Sequence, residues 1–220
     1  MKPYYPMMVD LQNRACIVIG GGEVAKRKIA SLLQANATVT MLSPQAVPQL
    51  EKLVEERKIT WKKRVYTEGD LQGYFLVVVA TDNRQVNETI YQDVNHQIQL
   101  VNVADSPELC SFIVPASFNR GHLQIAVATF GASPGLSRSI KKQLEHQFGE
   151  EYARYTDFLA EMRSWIFQQN VEPKLRRQLF DLLVTEDYQQ RAMDGEVEAI
   201  KQEIVRMISN SSPKIQVKNT

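Results

Sequence analysis

The sequence predicts an α/β fold in which a parallel sheet wound by helices is followed by a wholly helical C-terminal part. Two observations carry this. From Ala15 to Val103 apolar strand-like runs alternate with helical stretches, the pattern of βαβ units with right-handed crossovers. Beyond Gly149 apolar residues recur only at helical spacing. The elements follow in order. Ala15–Ile19 is a continuous apolar strand that runs into Gly20-Gly21-Gly22, and Glu23–Asn36 reads as a helix with Val24, Ile29, Leu32 and Leu33 on one side. Thr38–Leu42 is a second strand closed by Ser43-Pro44, Gln45–Arg57 a second helix, and Ile59–Lys63 a third strand. Tyr74–Ala80 is apolar without alternation, the mark of a central strand buried on both faces. Asn83–Asn95 is helical and Gln99–Val103 a fifth strand.

The pattern changes near Ser111. Phe112–Pro115 and His122–Ala128 read as strands around a turn at Asn119-Arg120-Gly121, and Ser133-Pro134 reads as an N-cap and first residue of a helix. Helical stripes follow: Tyr155, Phe158, Leu159, Met162, Trp165 and Ile166; Leu175, Leu179, Leu182 and Leu183; Met193, Val197, Ile200, Ile204 and Ile208. The tail from Asn210 is polar and reads as frayed.

Composition narrows the function. The 220 residues carry 26 basic and 25 acidic side chains, a net charge of +1, which argues against a dedicated nucleic-acid binder. The N-terminal stretch Met1–Leu11 lacks the charged and apolar regions of a secretory leader, and no run reaches the length of a membrane span. Cys16 and Cys110 have no motif spacing, so neither a disulfide framework nor a CxxC metal pair is expected; a reducing cytoplasm is. His96, His122 and His146 are far apart and no HxxH or HExxH occurs, so no resident metal is expected.

The chemistry concentrates at strand ends. Gly20-Gly21-Gly22-Glu23-Val24-Ala25 is a G-x-G-x-x-A fingerprint between a buried strand and a helix, the context that a Rossmann dinucleotide site requires. Gly20 permits the tight turn, Gly22 lets a pyrophosphate reach the backbone, and Ala25 lets helix and strand pack closely. Glu23 and Val24 open the helix whose N-terminus faces the phosphates. The acid that ordinarily bonds the ribose 2′-OH is missing: Ser43-Pro44 follows the second strand, and the residues leave both NAD and NADP open. Arg27 and Lys28 lean toward NADP or belong to a solvated helix face. Thr81-Asp82-Asn83 and Asn102–Asp105 end the fourth and fifth strands and should border the same crevice. Asp82 or Asn83 equally suits a helix cap, as does Asp105 or Ser106 before Pro107, so functional and structural readings of Asp105 both stand. Arg138, Lys141, Lys142, Arg154, Arg163, Arg176 and Arg177 are a solvated helix face or receivers of a polycarboxylate.

These segments together resemble the precorrin-2 dehydrogenase/sirohydrochlorin ferrochelatase family, which includes the N-terminal module of sirohaem synthase. The match runs through Tyr5–Leu11, Gly20–Ala25 with Arg27-Lys28, Ala80-Thr81-Asp82, Val101–Asp105, Ser111–Ala116 and Gly131-Ala132-Ser133-Pro134, in order, from about Tyr5 to Phe148. The resemblance implies an NAD-binding Rossmann domain (1–113), a dimerisation region (114–148) that intertwines a homodimer, a helical substrate-enclosing domain (149–209) and a flexible tail (210–220). It implies NAD as cofactor, with Gly20, Gly22, Glu23, Val24, Ser43, Pro44, Thr81, Asp82 and Asn102 at the cofactor, and a tetrapyrrole, precorrin-2, as substrate. It places the family's catalytic aspartate on Asp105. Some members also insert Fe²⁺ into the oxidised product and others only dehydrogenate; the sequence does not distinguish them. Two other classes fit the glycine loop by itself: a non-catalytic NAD-sensing module, and an NAD(P) oxidoreductase of a small substrate.

Overall fold

The computed structural model describes residues 4–169 and 171–211. The chain divides into two compact units, the first reaching Val114 and the second beginning at Pro115. The first unit holds β1 (Ala15–Ile19), α1 (Glu23–Gln34), β2 (Thr38–Leu42), α2 (Pro48–Glu55), β3 (Thr60–Lys62), β4 (Leu76–Val79), α3 (Arg84–Asp93) and β5 (Leu100–Val103). All pairings are parallel, in the order β3-β2-β1-β4-β5. β1 is central, with Cys16 set against Val39 on one side and Leu76 on the other.

Alternation along the strands divides two cores. Cys16, Val18, Leu76 and Val78 pack with Ala25, Ile29 and Leu32 of α1 and with Val39 and Met41. Ile17, Ile19, Val77, Val79, Val101 and Val103 pack on the other face with Ile90 and Val94. All four residues of β4 are buried, as its unbroken apolar run predicts. Each such aliphatic side chain contributes roughly 1.5–3 kcal/mol when fully buried, so both faces resist distortion and the loops at the strand ends stand on a rigid base. Burial also pushes the Cys16 thiol up to about 11.

Several boundaries differ from expectation. α2 begins at Pro48 rather than Gln45, because proline suits the first helical position and Val47 N–H is drawn to the Gly21 carbonyl (2.9 Å). α1 stops at Gln34, and Asn36 turns the chain with φ 55°. The larger correction concerns Phe112–Pro115, which pairs with no strand among the described residues. Its Phe112 carbonyl accepts from the Asn102 side chain (3.2 Å), and Pro115 has no N–H to give a ladder.

The second unit begins with the actual hairpin, β6 (Ala116–Arg120) against β7 (Leu123–Val127), antiparallel with Arg120 opposite Leu123. The turn is therefore Gly121-His122, and Asn119 and Arg120 belong to the strand. α4 (Pro134–Gln147) follows with the expected cap: Ser133 Oγ accepts from Leu136 N–H at 3.1 Å. α5 (Glu151–Gln168), α6 (Pro173–Leu183), α7 (Glu186–Met193) and α8 (Val197–Ser211) complete the unit. Tyr155, Phe158, Met162, Ile166, Leu179, Leu183, Ile200 and Ile204 from the predicted stripes form its buried core. α8 continues through Asn210 and Ser211, where a frayed tail was expected; the rest of that tail, 212–220, lies outside the described residues, as do 1–3 of the N-terminal stretch. Among the described residues no helix is long and apolar enough to cross a membrane.

Candidate cofactor cleft

A parallel sheet ordered β3-β2-β1-β4-β5 reverses its winding direction between β1 and β4, and a crevice opens there outside the carboxyl ends of the strands. The structure has a cleft of about 950 Å³ at this place. Gly20, Gly22, Glu23, Val24, Ser43, Pro44, Thr81, Asp82 and Asp105 all line it. Residues separated by up to 85 positions thus converge because each follows a parallel strand.

The glycine loop is shaped by two kinds of constraint. Gly20 has φ +127°, and a Cβ there would stand 2.3 Å from the Ala80 carbonyl oxygen; a Cβ on Gly21 would stand 2.0 Å from that of Gln45. These two let the loop pass between neighbouring strand ends. Gly22 differs, since a Cβ would meet nothing within 4 Å. The space beside it is open to the cleft. Gly22 is also the N-cap of α1, with no side-chain cap bond, so the first-turn N–H groups are left for another acceptor. An open backbone cradle at an uncapped helix start fits a pyrophosphate. The Glu23 carboxylate is paired with Lys26.

Ser43 closes the side of the cleft below β2. Its backbone N–H donates to Lys62 O (3.2 Å), and its carbonyl accepts from Trp61 Nε1 (2.9 Å). Its hydroxyl is different: Ser43 is only 4% exposed, and Oγ has no hydrogen-bond partner among the described residues. A buried hydroxyl without a partner is costly unless a ligand supplies one.

On the β4 side, Asn83 and not Asp82 caps α3, its side chain accepting from Val86 N–H at 3.2 Å. Thr81 Oγ1 is bonded to the Asn87 side chain, which fixes the loop. Asp82 is left exposed on the cleft wall. At the end of β5, Asp105 has φ 59°, a left-handed conformation that aspartate and asparagine tolerate better than most residues. No α-helix starts after it. A three-residue 3₁₀ turn, Pro107–Leu109, follows, with Ser106 at its cap position and no side-chain cap bond. Among the described residues nothing donates a hydrogen bond to the Asp105 carboxylate, so the capping reading of Asp105 finds no support in the geometry.

Asn102 is not brought to the cleft. It is 7% exposed, accepts from Lys28 Nζ at 2.9 Å and donates to the Phe112 carbonyl, bracing α1 against the segment after β5. Strand alternation puts Val101 and Val103 on one face and Asn102 on the α1 face. Lys28 is accordingly half-buried rather than on a solvated face, and burial lowers its pKa. Sequence reasoning missed Arg64, Val65 and Tyr66, which also line the cleft. The rule that pointed to the ends of β2, β4 and β5 applies equally to the end of β3.

Comparison with known proteins agrees with this geometry. An NAD(P)-binding family model matches residues 7–116, and a model for the central part of sirohaem biosynthesis proteins matches 120–147. Precorrin-2 dehydrogenase of Priestia megaterium is 35% identical over 184 residues, covering 84% of this chain and 91% of that protein. The chain belongs to the precorrin-2 dehydrogenase family. A solved member of this family, SirC, superposes with a TM-score of 0.80 at 31% identity, over 92% of this chain and all of SirC. Siroheme synthase of Nitrosococcus oceani is 35% identical over 195 residues, 89% of this chain but 42% of its own length. The chain thus spans less than half of the siroheme synthases it matches. The first unit has a Rossmann-type fold, and the NAD(P)-binding family model covers nearly all of it.

Proposed function

We propose that the protein oxidises precorrin-2 to sirohydrochlorin with NAD, a step of sirohaem biosynthesis, and that Asp105 is its general base. The observation that carries this reading is the convergence of an open pyrophosphate cradle at Gly22 and an unbonded carboxylate at Asp105 in one cleft of a precorrin-2 dehydrogenase fold. Bound NAD supplies the hydride acceptor. The chain's own groups do the rest. The first-turn N–H groups of α1 hold the pyrophosphate, with Gly20, Gly22, Glu23 and Val24 forming the cradle. Ser43 Oγ and Pro44 border a ribose, and Thr81 and Asp82 border the other half of the dinucleotide. Asp105 takes the proton that leaves the macrocycle as hydride departs, help worth roughly 10²–10⁴-fold in rate. Overall the macrocycle loses two electrons and two protons; the hydride carries both electrons and one proton, and the carboxylate takes the other.

The cationic residues of the second unit suit a substrate bearing several carboxylates, although Lys141 is paired with Glu145 (3.2 Å), and Arg163 and Arg176 lie over the Phe167 ring. Fe²⁺ is a further substrate in this reading, since Asp105 can also receive pyrrole protons during metal insertion. The β6–β7 ribbon serves a homodimer: two strands alone leave both edges able to pair with another chain. The Cys16 thiol, buried in β1, suits a reducing, cytoplasmic setting.

The test is an anaerobic assay of enzymatically prepared precorrin-2 with NAD⁺, followed by visible absorbance and then by addition of Fe²⁺ or Co²⁺. Formation of sirohydrochlorin and NADH in equal amounts is expected, and a second spectral change on metal addition reports insertion. No NADH and no macrocycle-induced change would leave an NAD-sensing module or a small-substrate oxidoreductase. Sedimentation as a monomer at micromolar concentration would remove the dimer.

A further inference from the structure

The end of β3 brings a cation to the ribose side of the cleft. Arg64 lies two residues beyond β3 and lines the cleft together with Ser43 and Pro44. The two strand ends are tied, because Ser43 and Lys62 share a backbone hydrogen bond of 3.2 Å. No acid follows β2, so nothing at Ser43 repels a 2′-phosphate. A free guanidinium at this place would bind such a phosphate through its fork of charged donors.

Arg64 is not free. Its Nη1 donates to Asp70 Oδ2 at 2.5 Å, and Nη2 donates to Asp70 Oδ1. Nη1 also donates to the Val65 carbonyl (3.0 Å) and to Thr67 Oγ1 (3.2 Å). Asp70 is buried, with its side chain 6% exposed against 45% for Arg64. It further accepts from Thr67 N–H and Thr67 Oγ1, each at 3.0 Å, and Lys62 Nζ stands 3.7 Å away. The guanidinium holds the Asp70 carboxyl far below the usual carboxylate range, so the pair stays charged at any working pH. Asp70 itself does not line the cleft.

We propose that Asp70 is a specificity-determining residue that sets the preference for NAD over NADP by engaging the fork of Arg64. In most Rossmann sites an acid after the second strand bonds the 2′-OH and repels the phosphate. Here an acid acts at one remove, by occupying the cation that would otherwise welcome the phosphate. The inference rests on the ribose lying beside Ser43, as in the function proposed above.

The test is Asp70→Asn in the full chain, with NADH and NADPH binding measured separately by nicotinamide fluorescence and turnover compared with NAD⁺ and NADP⁺. Asparagine keeps an acceptor for Thr67 N–H but releases the bidentate ion pair. NADPH affinity should rise on the order of tenfold, the scale of one charge-assisted hydrogen bond, with NADH affinity within about twofold and the change in KM rather than kcat. Asp70→Glu should restore the wild-type ratio, and Arg64→Gln added to Asp70→Asn should abolish the gain. Thr67→Val weakens the same pair with less risk to the fold and should shift the ratio in the same direction, by roughly threefold. Unchanged NADPH affinity in both folded variants, or equal losses of NADH and NADPH, would overturn the proposal and leave the pair a loop fastener. Failure of NADH to bind the wild-type protein would instead sink the cofactor site itself.

Discussion

Two helix starts in this protein are built in opposite ways. α4 begins with Ser133, whose hydroxyl accepts from Leu136 N–H, and with Pro134, which has no N–H to satisfy. α1 begins with Gly22, which has no side chain and makes no cap bond. Ser133 satisfies Leu136 N–H at the start of α4; the start of α1 has no such bond and faces the cleft. The same contrast separates Asn83, which caps α3, from Asp82 beside it, and Asn102, fully engaged with Lys28 and Phe112, from Asp105. At these places the groups with internal partners brace the fold, and the groups assigned to the ligand in the proposed function lack a hydrogen-bond partner among the described residues. Gly22, Asp82 and Asp105 are exposed, so water meets these groups until a ligand displaces it.

The largest expected effect comes from closing the open start. Gly22→Asp adds a side chain and a negative charge at the proposed pyrophosphate cradle. Because a Cβ there meets nothing within 4 Å, and Gly22 has φ −88°, which any residue adopts, the fold should survive. Aspartate is moreover a good N-cap, so the helix should gain while NAD binding is lost. Calorimetry that finds wild-type NAD affinity in the folded variant would show that the uncapped start is not the cradle.

Asp105→Asn comes next. Asparagine tolerates the left-handed backbone at φ 59° and matches the aspartate in size, but it accepts no proton at neutral pH. Precorrin-2 oxidation should fall by ~10²-fold or more with NAD affinity unchanged. A near-normal rate would return Asp105 to a turn residue.

How far these sites were legible follows the same division. The glycine loop, β4 and the helical stripes announce themselves because each depends on local spacing: a fingerprint between strand and helix, an unbroken apolar run, a 3.6-residue period. Phe112–Pro115 misled because an apolar run is not yet a ladder. The partner strand and Pro115 decide pairing, and the hairpin instead uses Ala116–Arg120, whose last two residues, Asn119 and Arg120, read as part of a turn. Asn102 and Asp105 stand three residues apart at one strand end, so only the side-chain alternation of β5 tells that the first is turned to α1. Arg64 and Asp70 carry no motif at all, and their pairing exists only once the segment after β3 folds back.

Ser133→Ala reverses the logic of the first variant. It removes a satisfied cap, so stability should fall by about 1 kcal/mol, measured as a lower denaturant midpoint. NAD affinity should not move. A loss of NAD binding without destabilisation would mean that the capped start also serves the ligand and would blur the distinction.

The smallest effect, and the finest probe, is Ser43→Ala. Removing a buried hydroxyl that bonds to the protein ordinarily destabilises, because its partner is left orphaned. Ser43 Oγ has no partner among the described residues, so here the fold loses nothing and sheds the cost of a buried, unsatisfied polar group. The apo-protein should therefore be as stable as wild type or slightly more so. With NAD the sign reverses: if a ribose hydroxyl bonds to Ser43, affinity should drop about three- to tenfold, the size of one neutral hydrogen bond. The stabilisation conferred by saturating NAD should shrink in proportion. Thermal midpoints with and without NAD measure both terms in one experiment. A destabilised apo-protein would mean that the hydroxyl has a partner in the folded chain, and unchanged NAD affinity would move the ribose away from the end of β2.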